Sequence, residues 1–146
     1  MRASIPELVV HHGHFLTHEV SAPLAQPVPG QPPTVRVLKT EEKGSDVNLA
    51  VHLLNDAWLD LYDCAVVISN DSDLAESMRL VRAHHPGKKI GLVFPRQGGA
   101  GTRHAHPSRE LAQHAHFVKH LGRTVLADCQ LPDPIPGTTI HKPAAW

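Results

Sequence analysis

The chain has 146 residues, 41% of them hydrophobic and 19% charged, with fourteen Lys/Arg matching fourteen Asp/Glu. That length suits one domain with a reasonable core. No apolar run reaches the roughly 18 residues that a membrane helix needs, and the N-terminus lacks the apolar centre of a signal peptide.

Balance overall hides asymmetry along the chain. Residues 1–78 carry four Lys/Arg against eleven Asp/Glu, and residues 79–146 carry ten against three. An acidic site beside a basic surface for a polyanion is one reading; solvation of ordinary surface helices is the other. The two cysteines, Cys64 and Cys129, are distant in sequence. A reduced thiol at Cys64, packed as a small hydrophobe, and a cytoplasmic location are the simplest expectations.

In chain order, Leu8–Leu16 reads as a strand weakened at Gly13, where a bulge would fit. Residues 21–33 hold five of the thirteen prolines and read as a loop. Val35 and Val37 alternate with polar neighbours over Thr34–Leu38, a short strand. The two strands form a pair with a long connection. Ser45 is an N-cap candidate. From Asp46 to about Leu61, Val47, Ala50, Leu54, Ala57 and Leu61 recur at helical spacing, widened by Val51 and Trp58.

Cys64–Ile68 reads as a fully buried strand, followed by the polar cluster Ser69, Asn70, Asp71, Ser72 and Asp73. In open α/β sheets ligands bind at the carboxyl ends of strands. Asp73 and Glu76 have capping-box spacing, and Asp71 suits a turn. Leu74–His85 is helical, with Leu74, Met78 and Val81 on one face, and Pro86-Gly87 ends it. Lys89–Phe94 is the next buried strand, completing a strand–helix–strand unit that implies a largely parallel sheet. Residues 95–107 form a loop whose three glycines lack the Gly-Lys-Ser/Thr ending of a phosphate-binding loop. Ser108 caps a short helix running through Ala115, with Arg109 at its start. A last strand, His116–Leu121, precedes a helical turn or two over Gly122–Gln130. Residues 135–146 read as an irregular tail, with Trp146 packing back onto the body.

Two motifs carry a family resemblance. Ser69-Asn70-Asp71-Ser72-Asp73-Leu74 resembles the Ser-x-Asp-Ser-Asp motif, followed by Phe or Leu, of NYN domains, the LabA-like branch of the PIN-like nucleases. Glu42-Lys43-Gly44-Ser45-Asp46-Val47 is similar to that family's Glu-Lys-Gly-x-Asp-Val. The resemblance covers roughly Leu8 to Pro134. It implies an α/β, PIN-like (Rossmannoid), mostly parallel sheet flanked by helices, with the domain over residues 1–134. It also implies a metal-dependent ribonuclease that uses Mg²⁺ or Mn²⁺, with RNA as partner. NYN domains usually open with a strand ending in an Asp-x-x-Asn motif. Met1–Glu7 has no Asp and is too short for one, so the chain reads as lacking the family's first strand.

Under that resemblance Asp46, Asp71 and Asp73 are the catalytic and metal-binding carboxylates. Hydrolysis of a phosphodiester needs acids clustered on one or two divalent ions, and Mg²⁺ takes oxygen ligands. Lys43, Ser69, Asn70, Ser72, Arg96, Arg103 and Arg109 are candidates for substrate binding. Asp46 also has a purely structural reading, as a negative charge in a helix's first turn. The rival function is an inactive RNA-binding or regulatory module, with self-association as an option and no membrane partner. A generic small-molecule site would need a nucleotide fingerprint, which is absent. The histidines at 11, 12, 14 and 18, and at 104 and 106, lack the paired Cys/His spacing of zinc sites.

Overall fold

The computed structural model describes residues 6–95 and 106–144, which divide into two compact units, residues 1–61 and 62–146. The expectations for Arg96, Arg103, His104 and Trp146 fall outside the described residues. Among the described residues no helix is long and apolar enough to cross a membrane.

The first unit is a hairpin and a helix. Strand β1 (His14–Pro23) pairs antiparallel with β2 (Thr34–Lys43), from His14 opposite Lys43 to Pro23 opposite Thr34. The first strand therefore starts later than its apolar residues suggest, and the second runs five residues longer. Cross-strand pairs decide this: Val20 faces Val37, and the Thr17 and Thr40 hydroxyls are 2.9 Å apart. Such pairs are the units of sheet stability. Gly13 is required for space, because a Cβ there would collide with the Glu42 carboxylate and the Lys43 carbonyl.

Charges on the hairpin are paired. Arg36 meets Glu19, and the Glu41 carboxylate accepts from Lys39 Nζ (2.6 Å) and Lys43 Nζ (3.1 Å). Hydrogen bonds from Lys39 and then Lys43 hold the Glu41 carboxyl at about 2, below the ordinary 4.5. A depressed acid contributes stability above its unfolded value and loses it as pH falls. The stability difference between wild type and Glu41→Gln is thus expected to be constant above about pH 5 and to shrink between 4.5 and 2. Urea midpoints across that range check it. The effect is small and sensitive to salt, since the carboxylate is only half-buried and still meets solvent.

Helix α1 (Ser45–Trp58) follows. Ser45 is its first residue rather than its cap. The cap is Gly44, in the left-handed region at φ 96°, which glycine adopts without strain. The Glu42 carboxylate takes over the capping, accepting from Ser45 N (3.2 Å) and Ser45 Oγ (2.6 Å). Leu53 and Ala57 are the buried residues of α1, while Val47 and Leu61 are exposed. His11 stacks on His52 with ring centroids 3.6 Å apart.

The second unit holds a three-stranded parallel sheet with helices. Strands β3 (Cys64–Ile68), β4 (Lys89–Pro95) and β5 (Phe117–Leu121) lie in that order, all parallel. A 3₁₀ turn (Ser72–Leu74) and α2 (Ala75–His84) connect β3 to β4. The short α3 (Arg109–Ala112) precedes β5, and α4 (Arg123–Asp128) follows it. The protein is mixed α/β, as its strand–helix–strand pattern implies.

The core lies on one face of this sheet. Ile90, Leu92 and Phe94 of β4 are buried, as are Leu74, Met78 and Val81 around α2 and Leu111 of α3. The period of two in β4 and the 3/4 spacing in α2 supply the two apolar surfaces. The opposite face differs from expectation. Val67 is buried, but Val66 is 51% and Ile68 62% exposed, and Cys64 is exposed too. β3 is an edge strand rather than a fully buried one, and the Cys64 thiol is not packed as a core hydrophobe. On this face the Phe117 ring lies over Gly91, at the place a Cβ would fill.

Lys88 is buried at the end of the α2–β4 turn. Its ammonium donates to the Tyr62 carbonyl at 2.6 Å and lies 5.2 Å from the Tyr62 ring centroid. A buried charge needs such partners.

Candidate functional site

The rim at the carboxyl end of β3 is built from its own polar side chains. Ser69 Oγ accepts from Asp71 N (3.0 Å), and Asp71 Oδ1 accepts from Asp73 N (3.0 Å). Asp71 is thus the cap of the 3₁₀ turn, at φ −85° and ψ 117°. The capping-box expectation for Asp73 is corrected: Asp71 does the capping, and Asp73 sits in the first turn. Short polar side chains favour such local bonds to backbone amides. Asp71, Ser72 and Asp73 are exposed to solvent.

Asn70 makes two hydrogen bonds across the rim. Its Oδ1 accepts from Ser108 N at 2.7 Å, and its Nδ2 donates to the His106 carbonyl at 3.4 Å. One side chain therefore ties the end of β3 to the start of α3. Ser108 caps α3 as its position in the sequence implies, with Oγ accepting from Leu111 N at 3.5 Å. The same hydroxyl donates to Glu110 Oε2 at 2.8 Å and lowers the Glu110 pKa. The helix ends at Ala112, three residues sooner than expected. Arg109 lies in its single turn, on the same rim segment as Asn70's partners.

Asp71 and Asp73 are brought together by one turn, whereas Asp46 belongs to the other compact unit, in the first turn of α1. Lys43 is engaged with Glu41 rather than presented alone. Among the described residues no three His, Cys, Asp or Glu side chains gather as a metal ion would require. Two carboxylates on one exposed turn can receive hydrogen bonds or protons, but their geometry is explained by the turn itself.

No family model and no solved structure matches the chain. Over 142 residues it is 33% identical to 6-hydroxy-3-succinoylpyridine 3-monooxygenase HspA from Pseudomonas putida (strain DSM 28022 / S16), covering 92% of this chain and 44% of that protein. The chain thus spans less than half the length of the relative it matches. This finding overturns the ribonuclease expectation and its inactive RNA-binding alternative, because the relative's name is that of an oxidoreductase. The Mg²⁺ or Mn²⁺ expectation falls with it, and no group of three metal-ligating side chains is found among the described residues.

Proposed function

We propose that this chain belongs to an oxidoreductase of the monooxygenase class acting on a small aromatic acid. The supporting observation is the 33% identity across 92% of the chain to a protein named for that chemistry. The substrate class is a hydroxypyridine with a keto-acid side chain. One atom of dioxygen enters the substrate and the other leaves as water. An organic hydride donor supplies two electrons and one proton as hydride, and solvent supplies the second proton.

A dinucleotide cofactor does not fit the described rim. Its pyrophosphate needs a glycine-rich turn that lets the backbone approach, at the positive end of a helix. After β3 the turn is Ser69-Asn70-Asp71-Ser72-Asp73, with no glycine and two carboxylates of the wrong sign. After β5 a single glycine, Gly122, leads into α4.

For the fold we propose the NYN type of PIN-like sheet. Its support is the Ser69–Leu74 motif at the carboxyl end of β3 and the parallel order β3-β4-β5.

The test incubates the full chain with 6-hydroxy-3-succinoylpyridine, a reduced nicotinamide and free flavin under ¹⁸O₂. Mass spectrometry is expected to find one heavy oxygen in the product. Product without label, or no product, overturns the reading.

A further inference from the structure

The sequence reads as irregular over residues 135–146, yet residues 129–143 fold into a loop tied together by hydrogen bonds. Ile135 N donates to Ile140 O (3.0 Å), and Thr138 N donates to Ile135 O (3.0 Å). Gly137, at φ 75°, allows the turn between them. Asp133 Oδ1 accepts from Lys142 N (3.1 Å) and meets His141 Nδ1 at 3.1 Å. Gln130 anchors the loop, donating to Leu126 O (2.6 Å) and accepting from Lys142 Nζ (3.1 Å).

The loop borders an open hollow of about 460 Å³. That volume lies in the range of about 300–1,000 Å³ typical of small-molecule sites. Leu131, Pro132, Ile135, Ile140 and Pro143 supply apolar walls. Leu131 is 54% and Ile140 58% exposed, so this apolar surface still faces water. Among the described residues the lining contains no carboxylate, and its one permanent charge is Lys142. The Lys142 ammonium bonds to the neutral Gln130 amide, and among the described residues no carboxylate is paired with it. Asp133, the nearby acid, is occupied by His141 and the Lys142 backbone.

An apolar hollow with a single cation at its edge is complementary to a ring carrying a carboxylate. We propose that this cavity binds a flat aromatic or heteroaromatic acid, its ring against Leu131, Ile135 and Ile140 and its carboxylate on Lys142 Nζ. The choice of a pyridine keto acid as ligand rests on the proposed function; the pocket itself does not. A charge-assisted hydrogen bond of this kind outweighs a neutral one about twofold in strength. Neither cysteine chemistry nor a metal is needed for it.

The experiment titrates 6-hydroxy-3-succinoylpyridine, and separately its methyl ester, into the full chain by calorimetry. Lys142→Met is expected to weaken binding of the acid about tenfold or more and to leave the ester unaffected. Ile135→Trp, which fills the hollow, is expected to abolish binding of both. Circular dichroism of each variant checks that the fold is retained. Unchanged affinity in both variants, or no binding to the wild-type chain, overturns the pocket. The ¹⁸O₂ assay is read independently. Label incorporation with a KM indifferent to Lys142→Met removes the pocket and leaves the monooxygenase reading. Lys142-dependent binding without label incorporation does the reverse.

Discussion

Leu92→Ala is expected to lower the unfolding free energy by about 2–5 kcal/mol, the range for a truncated core leucine. Leu92 is fully buried in the central strand β4, between β3 and β5. Its neighbours on that face, Ile90 and Phe94, are buried as well, as are Met78 and Val81 of α2. Removing the side chain leaves a cavity that a strand paired on both sides closes poorly. Domains of this size have about 5–15 kcal/mol in total, so the loss is large. The contrast is Val66→Ala, one strand over and half exposed. It removes little buried area and is expected to stay within about 0.5 kcal/mol of wild type. Urea unfolding of the pair reads both values. Equal losses at the two positions would mean that the sheet buries both faces, contrary to the exposure of Val66 and Ile68.

Asn70→Ala is expected to lose about 1–3 kcal/mol, because it strips an acceptor from a part-buried amide. Ser108 N donates to Asn70 Oδ1 at 2.7 Å, and without it that N–H faces an apolar methyl. The weaker bond to the His106 carbonyl, at 3.4 Å, goes too. Asn70→Asp keeps the oxygen and gives up only the longer bond, so it is expected to lie nearer wild type. Hydrogen exchange at the Ser108 amide gives a local readout: slow in wild type and Asn70→Asp, fast in Asn70→Ala. Identical exchange in all three would show that the link between β3 and α3 does not depend on this side chain.

The order of elements in the second unit was legible because each obeys a single rule. Leu74, Met78 and Val81 recur at helical spacing and are buried. Strands β3, β4 and β5 stand within a residue or so of their expected bounds. The first unit was less legible. A hairpin's register is a property of two segments at once, so Pro23 opposite Thr34 is not written in either segment alone. Capping by Glu42 was equally hidden: Ser45 has the right chemistry, but the left-handed Gly44 places the Glu42 carboxylate at the helix start instead.

The candidate site shows the same division. Ser69, Asn70, Asp71, Ser72 and Asp73 were recognisable as a polar rim at a strand's end, and that is where they lie. Their tasks were not. Asp71 serves the amide of Asp73, and Asn70 serves an amide 38 residues away. The motif resemblance led to nuclease chemistry because the same residue types suit a metal. The similarity to a monooxygenase corrects that. Lys142 was missed entirely, since a proline- and threonine-rich tail gives no periodic signal to read.

Local rules set the alternation of strands and helices, the apolar face of α2 and the turn chemistry after β3. They need only neighbours a few positions apart, and the amino-acid order supplies those. Tertiary structure alone decided which face of β3 meets water, which amide Asn70 satisfies, and that residues 129–143 border a hollow. Each of these depends on groups far apart in the chain. Their meeting is governed by packing and by the need to pair buried polar atoms.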